Sequence, residues 1–249
     1  QLLIKSEIRE TSIPIEEIGF LVIDHPEIFL SMPAMNLLVE NNTAIIICGK
    51  NHLPNGMFLN LNSHHIQQEI FKNQIEASVP LKKQLWQQTI IEKITNQGIL
   101  LEKITGEKNS FDFIASKVLS GDTSNMEATA ANIYWKAFFE NSTFKKFKRE
   151  RFGDYPNNFL NYGYAILRAA TARALSGSGL LNTLGIHHKS KYNAFALADD
   201  IMEPFRPMVD EKVFEIINQY DEEELNTKLK AELLQILTRT LYFEDEKSP

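Results

Sequence analysis

Ala44-Ile45-Ile46-Ile47-Cys48-Gly49-Lys50-Asn51-His52-Leu53-Pro54-Asn55-Gly56-Met57-Phe58-Leu59-Asn60-Leu61-Asn62-Ser63-His64-His65-Ile66 is where the chain changes character. Its first half is a five-residue apolar, largely β-branched run followed by turn-forming residues, the pattern of a short strand. Upstream, Gln1 to Lys5, Thr11 to Ile15 and Gly19 to Ile23 read the same way. Asn55-Gly56 predicts a tight turn, with Met57 to Leu61 as a further strand. Ser31-Met32-Pro33 predicts a short helix between strands, because serine caps and proline suits a first turn. Beyond Ser63, apolar residues recur at helical spacing from Ile66 to Ile104, with Pro80 as a break. Further helical patterns cover Ser124 to Phe139, Asn157 to Ser176, Asn193 to Met202 and beyond, Glu211 to Tyr220, and Leu225 to Tyr242. The expectation is an α+β chain: a small N-terminal β-rich domain over 1–62, then a larger all-α domain over 63–249.

The 249 residues are 43% hydrophobic and 23% charged, which excludes collagen-like and fully disordered classes. No apolar run approaches the ~20 residues that span a bilayer. The single cysteine, Cys48, lies inside the apolar run and has no disulfide partner in the chain, which fits a buried hydrophobe in a reducing, cytoplasmic setting. The chain starts at Gln1 rather than Met, so a missing natural start is expected. The net charge of −6 argues against a generic nucleic-acid coat, but it is unevenly spread. Residues 215–249 hold nine acids against four bases, while Lys145, Lys146, Lys148, Arg149 and Arg151 form a basic cluster broken only by Glu150. That cluster reads either as a solvated face or as a phosphate-contacting patch.

The richest segment runs from Leu184-Gly185-Ile186-His187-His188 to Asp199-Asp200-Ile201-Met202-Glu203-Pro204-Phe205-Arg206-Pro207. Asp200 and Glu203, three apart, share one helical face. With an imidazole from the preceding loop they make an oxygen-rich set suited to Mg²⁺ or Mn²⁺, whereas zinc would want thiolates or paired histidines. The alternative is a solvated pair of helix acids. Apolar neighbours on both sides argue against it, and Pro204 predicts either a kink or a new helix with Glu203 as its cap. Ser124 and Glu127 match a capping box, which needs no further role for Glu127. Ala128, Ala130 and Ala131 would let a neighbouring helix approach and carry Glu127 to a site. Asn157 to Arg168 predicts a helix whose tyrosine hydroxyls are satisfied inside a core. Gly177-Ser178-Gly179 lacks the lysine of a phosphate-binding loop.

Four motifs in order resemble the CRISPR-associated integrase family Cas-one: Asn125-Met126-Glu127-Ala128, Leu160-Asn161-Tyr162-Gly163-Tyr164, Gly185-Ile186-His187-His188, and Met202-Glu203-Pro204-Phe205-Arg206-Pro207. The wording is closest to forms that accompany Cas-nine effectors. The resemblance implies a β-rich N-terminal domain with an α-helical catalytic domain, and a divalent-metal-dependent DNA endonuclease and integrase of prokaryotic cytoplasm. Such an enzyme inserts short foreign DNA, as spacers, into a CRISPR array by transesterification at a repeat phosphodiester. It implies Glu127, His188 and Glu203 as catalytic metal ligands for Mg²⁺ or Mn²⁺, with Asp200 and His187 auxiliary; the Gly-x-x-His pattern selects His188 over His187. Lys145, Lys146, Lys148, Arg149, Arg151, Arg168, Arg173, Lys189, Lys191 and Arg206 are the expected DNA-backbone contacts. Expected partners are prespacer and repeat duplexes, a second copy of the chain, a small Cas-two-like protein and Cas-nine. The family carries additional N-terminal strands before the segment resembling Gln1 to Lys5. Two other readings stay open: a non-catalytic DNA-binding scaffold, and a general nuclease acting on branched repair intermediates.

Overall fold

The strongest packing constraint sits on the apolar run Ala44–Cys48, which the structure, a computed structural model, places as the middle strand of a sheet covered on both faces. Residues 1–6, 9–50, 52–140, 144, 147–150 and 153–240 are described. Leu2–Lys5 (β1) pairs antiparallel with Glu10–Ile13 (β2). Phe20–Ile23 (β3), Ala44–Cys48 (β4) and Pro54–Phe58 (β5) form a three-stranded sheet, β4 running parallel to β3 and antiparallel to β5. The helix Met32–Glu40 (α1) crosses between β3 and β4; Ser31 accepts from the Ala34 N–H, and Pro33 lies in the first turn. Ile45 faces a local cluster with Leu2, Ile15 and Leu38, whereas Ile46 belongs to the main helical core with Phe159 and Leu160. Burial on both faces is why β4 reads as a continuous apolar run rather than an alternation. Cys48 is half-buried, and burial pushes its thiol up to about 11, so it is no nucleophile.

Asn55-Gly56 is not a turn. Both residues lie in β5, with Gly56 opposite Ile47. The chain has already reversed before Pro54: the Gly49 N–H donates to the Leu53 carbonyl, and His52 takes φ +61°. The apolar run ends at Cys48, so the polar residues after it supply the reversal, and the ladder is irregular between Ile47 and Cys48.

The remaining helices are Gln67–Glu76 (α2), Val79–Thr105 (α3), Phe111–Ala115 (α4), Met126–Phe138 (α5), Asn157–Gly177 (α6), Ala196–Ile201 (α7), Arg206–Gln219 (α8) and Thr227–Leu234 (α9). Pro80 separates α2 from α3, as expected, by opening α3 behind a Ser78 cap. At about 1.5 Å per residue α3 is roughly 40 Å long and spans the helical region. Buried residues recur along α6 from Asn157 to Leu175, which makes it the central helix. A Cβ at Gly163 would lie 2.4 Å from Val209 Cγ1, so α6 and α8 approach closely only because this residue is glycine.

Two termini differ from expectation. The Met126 and Glu127 N–H groups donate to the Asp122 carboxylate at 2.9 and 3.0 Å, while Ser124 Oγ bonds Leu119 N–H and the Lys117 carbonyl. The capping box is therefore absent: Asp122 caps α5 and Glu127 is left for other work. Ala130 is buried but Ala128 is exposed. The segment expected as a helix from Leu225 to Tyr242 is α9 with a 3-10 turn over Gln235–Thr238; residues 241–249 lie outside the described ones. The β layer is tied to the helices by Lys230 paired with Asp24, and by Arg173, whose Nε donates to the Asn42 carbonyl while its guanidinium lies over Phe20.

Candidate active site

The loop from Ile186 to Phe195 is held at both ends by two adjacent aspartates of α7. Asp200, fully buried, accepts from the Ile186, His187 and His188 N–H groups at 2.6, 2.9 and 3.2 Å, and its Oδ1 lies 2.5 Å from His188 Nδ1. Asp199 accepts from Asn193 Nδ2 at 2.8 Å and from Arg168 Nε at 2.6 Å. A Cβ at Gly185 would meet the His188 carbonyl at 2.5 Å and Asp200 Oδ2 at 2.9 Å, so only glycine lets the loop fold over this carboxylate. The Asp200 hydrogen bond raises His188 above the ordinary imidazole value, with the charges of Asp200, Glu203 and Asp199 adding to it against burial. With Nδ1 engaged, Nε2 is the nitrogen left to act as a ligand. A carboxylate behind a histidine in this way fixes the ring's tautomer and orientation. His187 instead stacks on Trp86, ring centroids 4.2 Å apart and 6° from parallel. Asp200, expected as an auxiliary acid, has both oxygens bonded to the loop and to His188.

Glu127 in the first turn of α5 and Glu203 in the turn after α7 are joined by Lys93 of α3. Its Nζ donates to Glu127 Oε1 at 2.6 Å and lies 2.6 Å from Glu203 Oε2. The other Glu203 oxygen pairs with Arg206 Nε at 2.9 Å, and the Arg206 guanidinium lies 4.7 Å over the Tyr164 ring. Burial pushes the Glu203 carboxyl up, but Arg206 and Lys93 outweigh it and hold it below the ordinary value. Pro204 is why this corner exists. It cannot continue α7, so Glu203–Phe205 form a 3-10 turn and α8 restarts at Arg206 with Pro207 in its first turn. Glu203 is the first residue of that turn rather than its cap, which is Met202. Asn96 of α3 donates to the Pro204 carbonyl at 2.9 Å and fixes the corner against Lys93's own helix.

Among the described residues no three acid, histidine or cysteine side chains converge closely enough to hold an ion. The Lys93 ammonium stands between the two carboxylates. The donor set nevertheless fits a hard divalent cation. Glu203 Oε2 is buried against the Lys93 ammonium, Glu127 is partly exposed, and His188 is exposed with Nε2 unused by Asp200.

An open cavity of about 500 Å³ adjoins His188, lined by Lys82, Gly185, Lys189, Lys191 and Tyr192 among others. Lys189 and Lys191 are exposed there, and Tyr192 is 86% exposed. The other expected DNA contacts divide three ways. Lys145, Lys146 and Arg151 lie outside the described residues. Lys148 is exposed and pairs with Glu150. Arg149, Arg168, Arg173 and Arg206 have structural partners: Arg149 bonds Asn157 and Asn161, Arg168 holds Asp199, Arg173 ties the β layer, and Arg206 neutralises Glu203.

Sequence reasoning passed over Lys93, Trp86 and Asp210. The signal for Lys93 was a lysine at i+3 from Ile90 and before Ile94 and Gln97, all buried on one face of α3. Asp210 was legible as the missing acceptor for the tyrosines: Tyr134 donates to it at 2.8 Å, and Tyr164 also donates to it.

Residues 1–244 match the family profile described as CRISPR associated protein Cas1. A CRISPR-associated endonuclease Cas1 from Neisseria meningitidis serogroup C (strain 8013) is 37% identical over 246 residues, covering 98% of this chain and 78% of its own. Among solved structures, a casposase bound to integration product superposes with a TM-score of 0.72 at 21% identity, over 92% of this chain and 73% of that one. A Cas6-RT-Cas1–Cas2 complex gives 0.74 at 22% identity, over 99% of this chain and 31% of that one. The sequence matches one family almost from end to end: the protein belongs to the CRISPR-associated Cas1 family.

Proposed function

We propose that this chain is a divalent-metal-dependent DNA endonuclease and integrase that inserts short DNA into a CRISPR array by transesterification. The observation that carries the reading is the meeting of Glu127 and Glu203 around one point, with the oriented imidazole of His188 at its rim, in a Cas1-family chain. Glu127, Glu203 and His188 Nε2 would hold Mg²⁺ or Mn²⁺. When bound, such an ion polarises the phosphoryl oxygen and stabilises charge on the attacking and leaving oxygens.

The chain's own residues do the rest. Asp200 keeps His188 in one tautomer, and Arg206 pins Glu203 so that its second oxygen faces the site. Lys189, Lys191 and Lys82 bring positive charge to the cavity where the phosphodiester enters, holding backbone without reading sequence. In the reaction a DNA 3′-hydroxyl attacks a repeat phosphodiester. One P–O bond forms, one breaks, the hydroxyl proton leaves to solvent, and the released strand carries a new 3′-hydroxyl. The relative named as an endonuclease, the casposase with its integration product and the complex containing Cas2 support DNA and a small Cas2-like protein as partners. A second copy of the chain and Cas-nine complete the proposed assembly, and a prokaryotic cytoplasm its setting.

The test is transfer of a labelled duplex into a repeat-containing plasmid with Mn²⁺ or Mg²⁺ by Glu127→Ala, His188→Ala and Glu203→Ala. Loss in all three supports the reading, and full activity in all three sinks it. Wild-type protein that binds DNA but transfers no strand would favour a scaffold. Equal cleavage of branched DNA lacking a repeat would favour a general nuclease.

A further inference from the structure

The buried ammonium of Lys93 is the one group at this site that a metal-binding role for Glu127 and Glu203 does not explain. It lies 2.6 Å from an oxygen of each carboxylate and is 9% exposed, on the face of α3 that carries Ile90, Ile94 and Gln97. We infer that Lys93 is an internal counter-ion which a divalent cation displaces from Glu127 and Glu203, and whose freed ammonium then pairs with the incoming phosphodiester.

This rests on the metal-binding reading above and goes beyond it in assigning Lys93. Without a cation between them, two carboxylates that share one ammonium repel, and burying one of them is costly. Lys93 meets that need but is exchangeable. Its contact with Glu203 Oε2, at 2.6 Å, is a charge pair to the same oxygen that a divalent cation would take, so the two cations compete for one position. Arg206 stays on the far oxygen of Glu203, fixed over Tyr164, so Glu203 keeps its place when Lys93 leaves. A doubly charged ion then balances both carboxylates, so the Lys93 charge is no longer needed by them. The buried stem keeps that charge beside the site, where the entering anion is a phosphate oxygen. Metal loading thereby creates the cation that receives the substrate.

The test uses Mn²⁺ alone as probe, with binding followed calorimetrically and by the EPR signal of free ion. Lys93→Met removes the competitor and is expected to bind Mn²⁺ about tenfold more tightly than wild type. The same variant should lose most of the Mn²⁺-dependent gain in affinity for a short DNA duplex that wild type shows. Lys93→Gln, which keeps a donor toward Glu127, is measured in parallel, with circular dichroism as the fold control, so that a Lys93→Met variant failing to fold leaves the question answerable. Wild-type binding with both variants equal to or weaker than wild type overturns this inference and leaves the metal site standing. Wild type that binds no Mn²⁺ overturns the metal site and the inference together.

Discussion

Two buried acid clusters lie a few residues apart in sequence and are built in opposite ways. Glu203 is neutralised by cations, Lys93 on one oxygen and Arg206 on the other, and burial's upward push on its carboxyl is overcome. Asp210, seven residues later on α8 and 1% exposed, is met by two neutral hydroxyls, Tyr134 and Tyr164. Burial therefore wins at Asp210 and pushes its carboxyl up to about 6, with the hydroxyls and the more distant Arg206 and Arg149 pulling only part of the way back. A carboxylate held charged by a lysine and an arginine has the chemistry proposed for a metal ligand. One closed in by phenols between α5, α6 and α8 is equipped to hold helices together. The difference separates a site from a strut although both are buried acids.

The widest separation between them comes from Glu203→Gln. Loss of a direct ligand should lower strand transfer by about 10³-fold or more, read in the plasmid assay. Asp210→Ala removes the acceptor for two buried hydroxyls and should cost roughly 3 kcal/mol of stability in denaturant titration. Activity per folded molecule should stay within a few-fold. A variant of Asp210 that stays stable but loses activity would erase the distinction.

Between these lies Asp200→Asn. It disturbs His188 without removing a ligand and should weaken metal affinity by about 10- to 100-fold. The comparison also has a pH signature. Asp210 has a folded value of about 6 against an ordinary 3.8, so the folded state holds the extra proton between them. Stability from this group is therefore fully present below about pH 3.8, falls as pH rises through about 6, and levels off about a unit above that, a loss of at most roughly 3 kcal/mol. Thermal unfolding of wild type minus Asp210→Asn across that window isolates it; a difference that grows with pH instead would contradict the assignment. The smallest effect belongs to the cavity rim. Lys191→Ala should weaken DNA binding a few-fold and reduce the salt slope by about one unit.

Much of this was legible in the sequence where local chemistry and tertiary packing agree. Pro80 behind Ser78 opened α3 as read, and the run Ala44–Cys48 became a strand. Where several local devices compete, packing decided: Asp122 rather than Ser124 capped α5, and the reversal before β5 is closed by Gly49 bonded to Leu53 instead of by Asn55-Gly56. Glu127, His188 and Glu203 were found as motifs, but the roles around them were not. Asp200 has the composition of a ligand and the geometry of a support for His188. Lys93 was missed because a lysine in an amphipathic helix reads as a solvated side chain. Only the meeting of α3, α5 and the Glu203 turn shows it buried between acids. The basic cluster was legible as charge, yet Arg149 is built into α6 through Asn157 and Asn161.

The most direct measurement of the central claim is a crystal structure of the protein with Mn²⁺ recorded at an anomalous-scattering wavelength. The account predicts one strong peak bonded to Glu127, Glu203 and His188 Nε2, with Asp200 still behind the imidazole. A peak bonded elsewhere, or none at a concentration that supports strand transfer, would contradict it.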